Sequence, residues 1–210
     1  MGLRMDSEVP RVGNGAAAQH SLQLFDSRDS VADAVSCFIA EGVEAGDVVL
    51  AVMRRETWEC TARRLRERGL DPAVAQASGG LTVLDAAATL ETFLVNGRID
   101  QKLFEDSVGT LVWALASGDR RLRIYGEMVD VLAAAGDFRI ALQLEARWNE
   151  LRAETPFTLF CGYSSENFGD PKVSDALQLT CLAHSQIRTN PRDPLATFLL
   201  ESASSGPRTS

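Results

Sequence analysis

The chain has 210 residues, 45% of them hydrophobic and 24% charged, with a formal net charge of −8 at pH 7. Those values suit one soluble domain of ordinary size around a single sizeable core. They argue against DNA or RNA as a direct partner, since phosphate binding needs a basic face, and no apolar run approaches the ~20 residues of a membrane span.

Residues 1–19 are rich in Gly, Ala and polar residues and lack a period, so they are expected to form a disordered tail. The opening MGLRMDSEVPRVGNG has no apolar signal-peptide core, which makes a cytoplasmic location the expectation. A folded unit is expected over residues 20–188. HSLQLF from His20 alternates apolar side chains as a short strand does. Asp26 or Ser27 then caps a helix with Val31, Val35, Phe38 and Ile39 on one face, stopped by Gly42. DVVLAVM is the continuous apolar run of a strand covered on both faces.

ETWECTARRLRERG reads as a helix ending at Gly69, with Arg63, Arg64, Arg66 and Arg68 as a solvated face. LTVLD is a third strand, and ATLETFLVNG and QKLFEDSVGTLVWALASG supply two helices. RLRIYGE and PFTLFCGY are a fourth and a fifth strand, separated by a helical pair. A last helix runs from Lys172 to about His184, and the tail 189–210 holds one amphipathic turn around Leu195 to Leu200. Strands alternating with helices predict an α/β three-layer sandwich with a mainly parallel sheet of about five strands.

GVEAGDVVLAV resembles the first core strand of a RecA-like domain, after which a phosphate loop belongs. Met53-Arg54-Arg55-Glu56-Thr57-Trp58 stands there instead, with neither the glycines that admit a phosphate nor a Lys-Ser/Thr pair. NTPase chemistry is therefore not expected. Arg54 retains the option of meeting an anion at the following helix N-terminus; the alternative is an exposed arginine at a turn.

Glu127 closes the fourth strand, where it either lines a site at the carboxyl ends of the strands or supports a helix N-terminus. Between Asp137 and Glu154, Ile140, Leu144, Trp148 and Leu151 form one apolar arc and Phe138, Leu142, Ala146 and Ala153 a second. Glu145, Asn149 and Arg152 form a polar stripe between the arcs, so Glu145 should be partly buried and paired. Arg152 is its local partner, with Arg123 or His20 as more distant ones. Cys161 and Tyr163 alternate on one strand face, where they line a pocket or pack in the core. The four cysteines (Cys37, Cys60, Cys161, Cys181) are widely spaced and read as reduced thiols. Two histidines and scattered cysteines show no diagnostic ligand spacing, so neither a metal nor a cofactor is expected.

Together these motifs resemble the MEDS family, a sensory domain named from methanogen and methylotroph regulators and related to the RecA/KaiC-like fold. The resemblance rests on His20, Gly42-x-x-x-Gly46, Gly79-Gly80-Leu-Thr-Val-Leu-Asp and Arg123-Ile-x-Gly126-Glu127-Met128. It continues through Leu144-Glu145 with Asn149, Cys161-x-Tyr163 and His184. Phe25 departs from the family's usual Tyr. The resemblance implies a ligand-sensing regulatory module of bacteria or archaea, with hydrocarbon-like molecules as proposed signals. Such domains often accompany a helix-turn-helix or kinase module, which the short flanks here do not accommodate, so a separate regulatory protein is the expected output.

Three functions follow. The first is a sensory domain that binds a small molecule through His20, Arg54, Glu127, Glu145, Asn149, Cys161, Tyr163 and His184 and signals to a kinase, anti-sigma or transcription regulator; a homodimer is compatible with it. The second is a ligand-free protein-interaction module derived from a RecA-like ATPase. The third is a hydrolase or transferase using the cysteine, the histidine and the carboxylates (Cys161, His184, Glu127 and Glu145), although no catalytic set is recognisable and the chain reads as a non-enzyme.

Overall fold

The computed structural model describes residues 19–204. The first half comprises β1 (His20–Phe25), α1 (Arg28–Glu44), β2 (Val48–Met53), α2 (Arg55–Glu67), α3 (Pro72–Ala77), β3 (Leu81–Asp85) and α4 (Ala86–Glu91). A hairpin of β4 (Leu94–Val95) and β5 (Arg98–Ile99) follows, then α5 (Gln101–Phe104), a π-helical turn and α6 (Thr110–Ala116). The second half contains β6 (Leu122–Gly126), α7 (Met128–Ala134), α8 (Phe138–Glu154), β7 (Thr158–Ser164), α9 (Ser174–Leu182), β8 (Gln186–Arg188) and α10 (Pro194–Ser204).

Six strands pair in parallel in the order β3-β2-β6-β7-β1-β8. All six residues of β2 are buried, because helices cover both faces of the sheet. Its alternate residues feed two cores. Val48, Leu50 and Val52 join Ile124, Leu159, Leu144 and Trp148 on one face. Val49, Ala51 and Met53 join Phe38, Ile39, Leu65 and Phe160 on the other. The molecule is an α/β sandwich of three layers.

The expected five strands become six, since β8 spans three residues and is too short to announce itself. α1 runs past Gly42 to Glu44. Gly42 is a packing residue there: a Cβ on it would lie 2.7 Å from Cγ2 of Val49. The helix expected over ATLETFLVNG breaks after Glu91 into the β4–β5 hairpin, because Asn96 (φ 51°) and Gly97 (φ 67°) make the left-handed pair that a two-residue hairpin turn requires. Arg63, Arg66 and Arg68 are exposed as expected, while half-buried Arg64 pairs with Asp33, Asp29 and Glu67 and Arg68, just after α2, bonds to Ser36.

The tail contributes a full helix: Ala196 and Leu200 of α10 are buried in the first core. Its first turn is held by Asp26, whose carboxylate accepts from the backbone N–H of Leu195 (2.7 Å) and Ala196 (2.9 Å). The expected disorder of residues 1–19 falls, but for Gln19, outside the described residues.

Candidate functional site

Parity and register assemble a buried cluster. His20 opens β1, and β1 runs beside β7 with His20 opposite Leu159 and Leu22 opposite Cys161. Even positions of β1 and odd positions of β7 therefore share one face, which puts His20 beside Cys161. α8 packs on that face along its Ile140, Leu144, Trp148 and Leu151 arc. The second arc stays outside, half-buried at Phe138 and Leu142 and exposed at Ala146 and Ala153. Glu145, on the boundary, is swept fully inward at 0% exposure. His184, just after α9, completes the group.

The ligand-type atoms of His20, Glu145, Cys161 and His184 all lie within 4.8 Å of one another. His20 Nε2 is 3.2 Å from Glu145 Oε2 and 3.3 Å from Cys161 Sγ. Cys161 Sγ lies 3.5 Å from Glu145 Oε2, and His184 Nε2 lies 3.3 Å from Glu145 Oε1. The Tyr163 hydroxyl donates to Glu145 Oε1 at 2.7 Å.

Arg152, the expected partner of Glu145, bonds instead to Asn149 Oδ1 and to the Phe157 carbonyl. Arg123 faces the opposite layer and pairs with Asp47. Only the His20 pairing among those expectations is realised.

The surrounding hydrogen bonds set the histidine tautomers. Asn149 Nδ2 donates to the Ala183 carbonyl, so its Oδ1 must accept, and His20 Nδ1 at 3.0 Å carries a proton. His184 Nδ1 sits 2.7 Å from the Thr180 carbonyl, which can only accept, so it too carries a proton. In the neutral rings both Nε2 lone pairs point inward. Burial lowers the His20 imidazole below its ordinary value, outweighing Glu145. Burial alone would raise the Glu145 carboxyl, but His184 and then His20 hold it well below the usual carboxylate range. Burial, with Glu145 adding to it, pushes the Cys161 thiol and the Tyr163 phenol well above theirs.

A second constellation lies at the carboxyl ends of the strands. Arg54 follows β2 and Glu127 follows β6; they border a cleft of about 260 Å³ with Phe25, Val31, Thr57 and Asp130. The backbone N–H of Arg54 donates to Glu127 Oε2 at 2.7 Å, and the Tyr125 hydroxyl donates to Oε1 at 2.9 Å. The Arg54 guanidinium pairs with Asp130, whose carboxylate also accepts from Ser164 N and Asn167 Nδ2. Thus the anion position at the start of α2 is filled from within the chain. Burial raises the Glu127 carboxyl despite those donors, and it opposes the Arg54 charge, which Asp130 more than restores. Tyr125 reaches Glu127 only because β7 carries Gly162 where the hydroxyl passes.

The single convergence expected at the strand tips is therefore two sites. Tyr125 and Phe160 are register neighbours facing the second core, and Glu127 continues that parity. Cys161 and Tyr163 face the first core, and the histidines enter from the amino ends of β1 and β8. Tyr163 touches both, bordering the cleft and donating to Glu145. Asp130 escaped the sequence reading; its signal was a carboxylate three residues after Glu127, one helical turn on. A more open hollow of about 450 Å³ between the hairpin and α8, edged by Arg98, Arg139 and Glu150, contains no buried ionisable group and carries no site.

The sequence matches the family model described as MEDS, the methanogen/methylotroph DcmR sensory domain, over residues 19–179. No curated protein matches it. Among solved structures it is similar to a KaiC-like protein of the hyperthermophilic archaeon Pyrococcus horikoshii, at 17% identity and a TM-score of 0.48. That alignment covers 70% of this chain and 63% of the other, so the chain spans less than two thirds of its length. With the family match running from β1 into α9 and including His20, Glu127, Glu145 and Cys161, the chain belongs to the MEDS family of sensory domains.

Proposed function

We propose that this sensory domain binds a small, partly apolar molecule in the cleft at the carboxyl ends of β2, β6 and β7, and that a separate regulatory protein, such as a histidine kinase or a transcription regulator, reads its occupancy. The cleft carries the reading: about 260 Å³ bordered by apolar Phe25 and Val31 and by the buried Glu127. That position is where open α/β sheets take ligands. The lining sets Phe25, Val31 and Tyr163 beside charged groups that include Arg54, Glu127 and Asp130, which suits a small molecule with both an apolar part and a polar group. Phosphates are disfavoured, since Arg54 is neutralised by Asp130 and Glu127 already accepts from the backbone N–H of Arg54, the residue that caps α2.

Thermal-shift titration with small metabolites and short hydrocarbon derivatives tests the reading. Ligand that binds only the folded state raises stability by RT ln(1 + [L]/Kd). A saturable shift is expected for the native chain and its loss in Val31→Trp, which fills the cleft. Tight binding of ATP in place of such molecules overturns it.

A ligand-free interaction module is the second reading. It is favoured by the exposed apolar side chains on the C-terminal elements, Leu179 and Leu182 of α9 and Phe198 of α10, with Leu182 81% exposed. Unaltered capture of a kinase or regulator by Val31→Trp, with no ligand shift in the native chain, supports it.

A further inference from the structure

The buried cluster lies outside the cleft, and its role goes beyond the ligand reading. We propose that His20, Glu145, Cys161 and His184 are the four ligands of a divalent transition-metal ion, best matched by Zn²⁺.

Geometry is the first support. Metal–nitrogen and metal–oxygen bonds of about 2.0–2.2 Å and a metal–sulfur bond of about 2.3 Å, arranged tetrahedrally, separate neighbouring ligand atoms by roughly 3.3–3.7 Å. His20 Nε2, Cys161 Sγ and Glu145 Oε2 are 3.2, 3.3 and 3.5 Å from one another, His184 Nε2 lies 3.3 Å from the other carboxylate oxygen, Oε1, and ligand atoms of all four residues lie within 4.8 Å of one another. Three of the four side chains, from β1, α8 and β7, thus already stand at tetrahedral edge lengths, and His184 from the α9–β8 connection is within reach of the same centre.

The outer hydrogen bonds are the second. A metal-ligating histidine donates its other ring N–H to a carbonyl or similar acceptor, which fixes the tautomer and aims the free nitrogen. Both histidines do this, His20 to Asn149 Oδ1 and His184 to the Thr180 carbonyl. His184 Nε2 is fully buried without a hydrogen-bond partner, facing a Glu145 oxygen that already accepts from Tyr163. A cation between them would make both into donors to one centre and give the orphaned ring nitrogen a partner.

Charge balance is the third. On binding, the Cys161 S–H bond breaks, its proton leaves to solvent, and sulfur donates its electron pair to the metal. The thiolate and the Glu145 carboxylate then neutralise the divalent ion, so no net charge is buried. An N₂SO donor set suits Zn²⁺ and excludes Mg²⁺ and Ca²⁺, which take oxygen ligands. Four protein ligands leave no position for substrate, the pattern of a structural centre.

The test uses the full chain, refolded or expressed with Zn²⁺ and dialysed against metal-free buffer, then loaded with Co²⁺. One retained zinc per chain is expected, and Co²⁺ should give tetrahedral visible bands with a thiolate charge-transfer band in the near ultraviolet. Cys161→Ser should abolish the charge-transfer band and weaken Zn²⁺ binding by more than about 100-fold, beyond the 10–100-fold typical of outer-shell changes. Since Cys161→Ser alters a core residue, a second variant replaces Cys37, Cys60 and Cys181 together and should keep the band. Zinc lost entirely on dialysis with no Co²⁺ band, or a band that follows the other three cysteines, overturns the proposal. Either failure leaves the cleft's ligand shift, measured in metal-free buffer, untouched.

Discussion

His184 turns Nε2 toward Oε1 of Glu145 at 3.3 Å while its Nδ1 is committed to the Thr180 carbonyl at 2.7 Å. Glu145 is the hub of the cluster and takes its remaining support from the Tyr163 hydroxyl. Tyr163→Phe removes a hydrogen bond to a buried carboxylate, worth about 1.5–3 kcal/mol. In a double-mutant cycle with Glu145→Gln, urea denaturation should give a coupling of about 1–2 kcal/mol. Additive losses would show that the two side chains act independently.

Asn149 serves three partners, accepting from His20 and Arg152 and donating to the Ala183 carbonyl. Asn149→Leu removes the partner of His20 Nδ1 and of the Ala183 carbonyl beside the core and should cost about 1–3 kcal/mol. Asn149→Asp keeps the oxygen that accepts from His20 and should recover part of the loss. Equal destabilisation by the two variants contradicts the assigned tautomer.

Glu127 makes stability depend on pH. Its carboxyl is raised above 4.5 in the folded chain, chiefly by burial, so the folded state holds the proton more tightly than the unfolded state. The contribution is fully present below pH 4.5 and is lost as pH rises through the folded value. Native and Glu127→Gln chains, unfolded in urea at intervals from pH 4 to pH 8, should therefore diverge, with the native chain losing stability relative to the variant across that window. A difference that is flat or of opposite sign rejects the assignment.

Gly162 leaves the space that Tyr125 uses to reach Glu127. Tyr125 is fully buried and cannot swing away, so Gly162→Ala should cost about 1–3 kcal/mol by overpacking. Adding Tyr125→Phe, which deletes the clashing oxygen, should make the pair cost less than the sum of its parts.

Asp26 caps α10 from across the fold. Asp26→Ala should cost about 1–2 kcal/mol, as loss of a helix cap does. Amide exchange should accelerate at Leu195 and Ala196 while β2, buried on both faces, remains protected. Uniform acceleration along the chain would mean that α10 opens only with the whole domain.

The sequence by itself determined the layers. Continuous apolar runs such as DVVLAVM require strands covered on both faces, and their alternation with helices requires parallel crossovers. It also marked Glu145 as a partly buried carboxylate in need of a partner, since it borders the Ile140, Leu144, Trp148 and Leu151 arc, and parity placed Cys161 with Tyr163. Local pattern could not say what Glu145 meets. Arg152 is one turn away on its own helix, yet His20 and His184 are the partners, because β1 inserts between β7 and β8 and brings the two ends of the domain onto one face. Glu127 belonged by sequence to the same group and was parted from it by the sheet, which sends neighbouring residues of a strand to opposite cores. Strand order and register depend on how distant segments pack together, and that competition is settled only when the whole chain has folded.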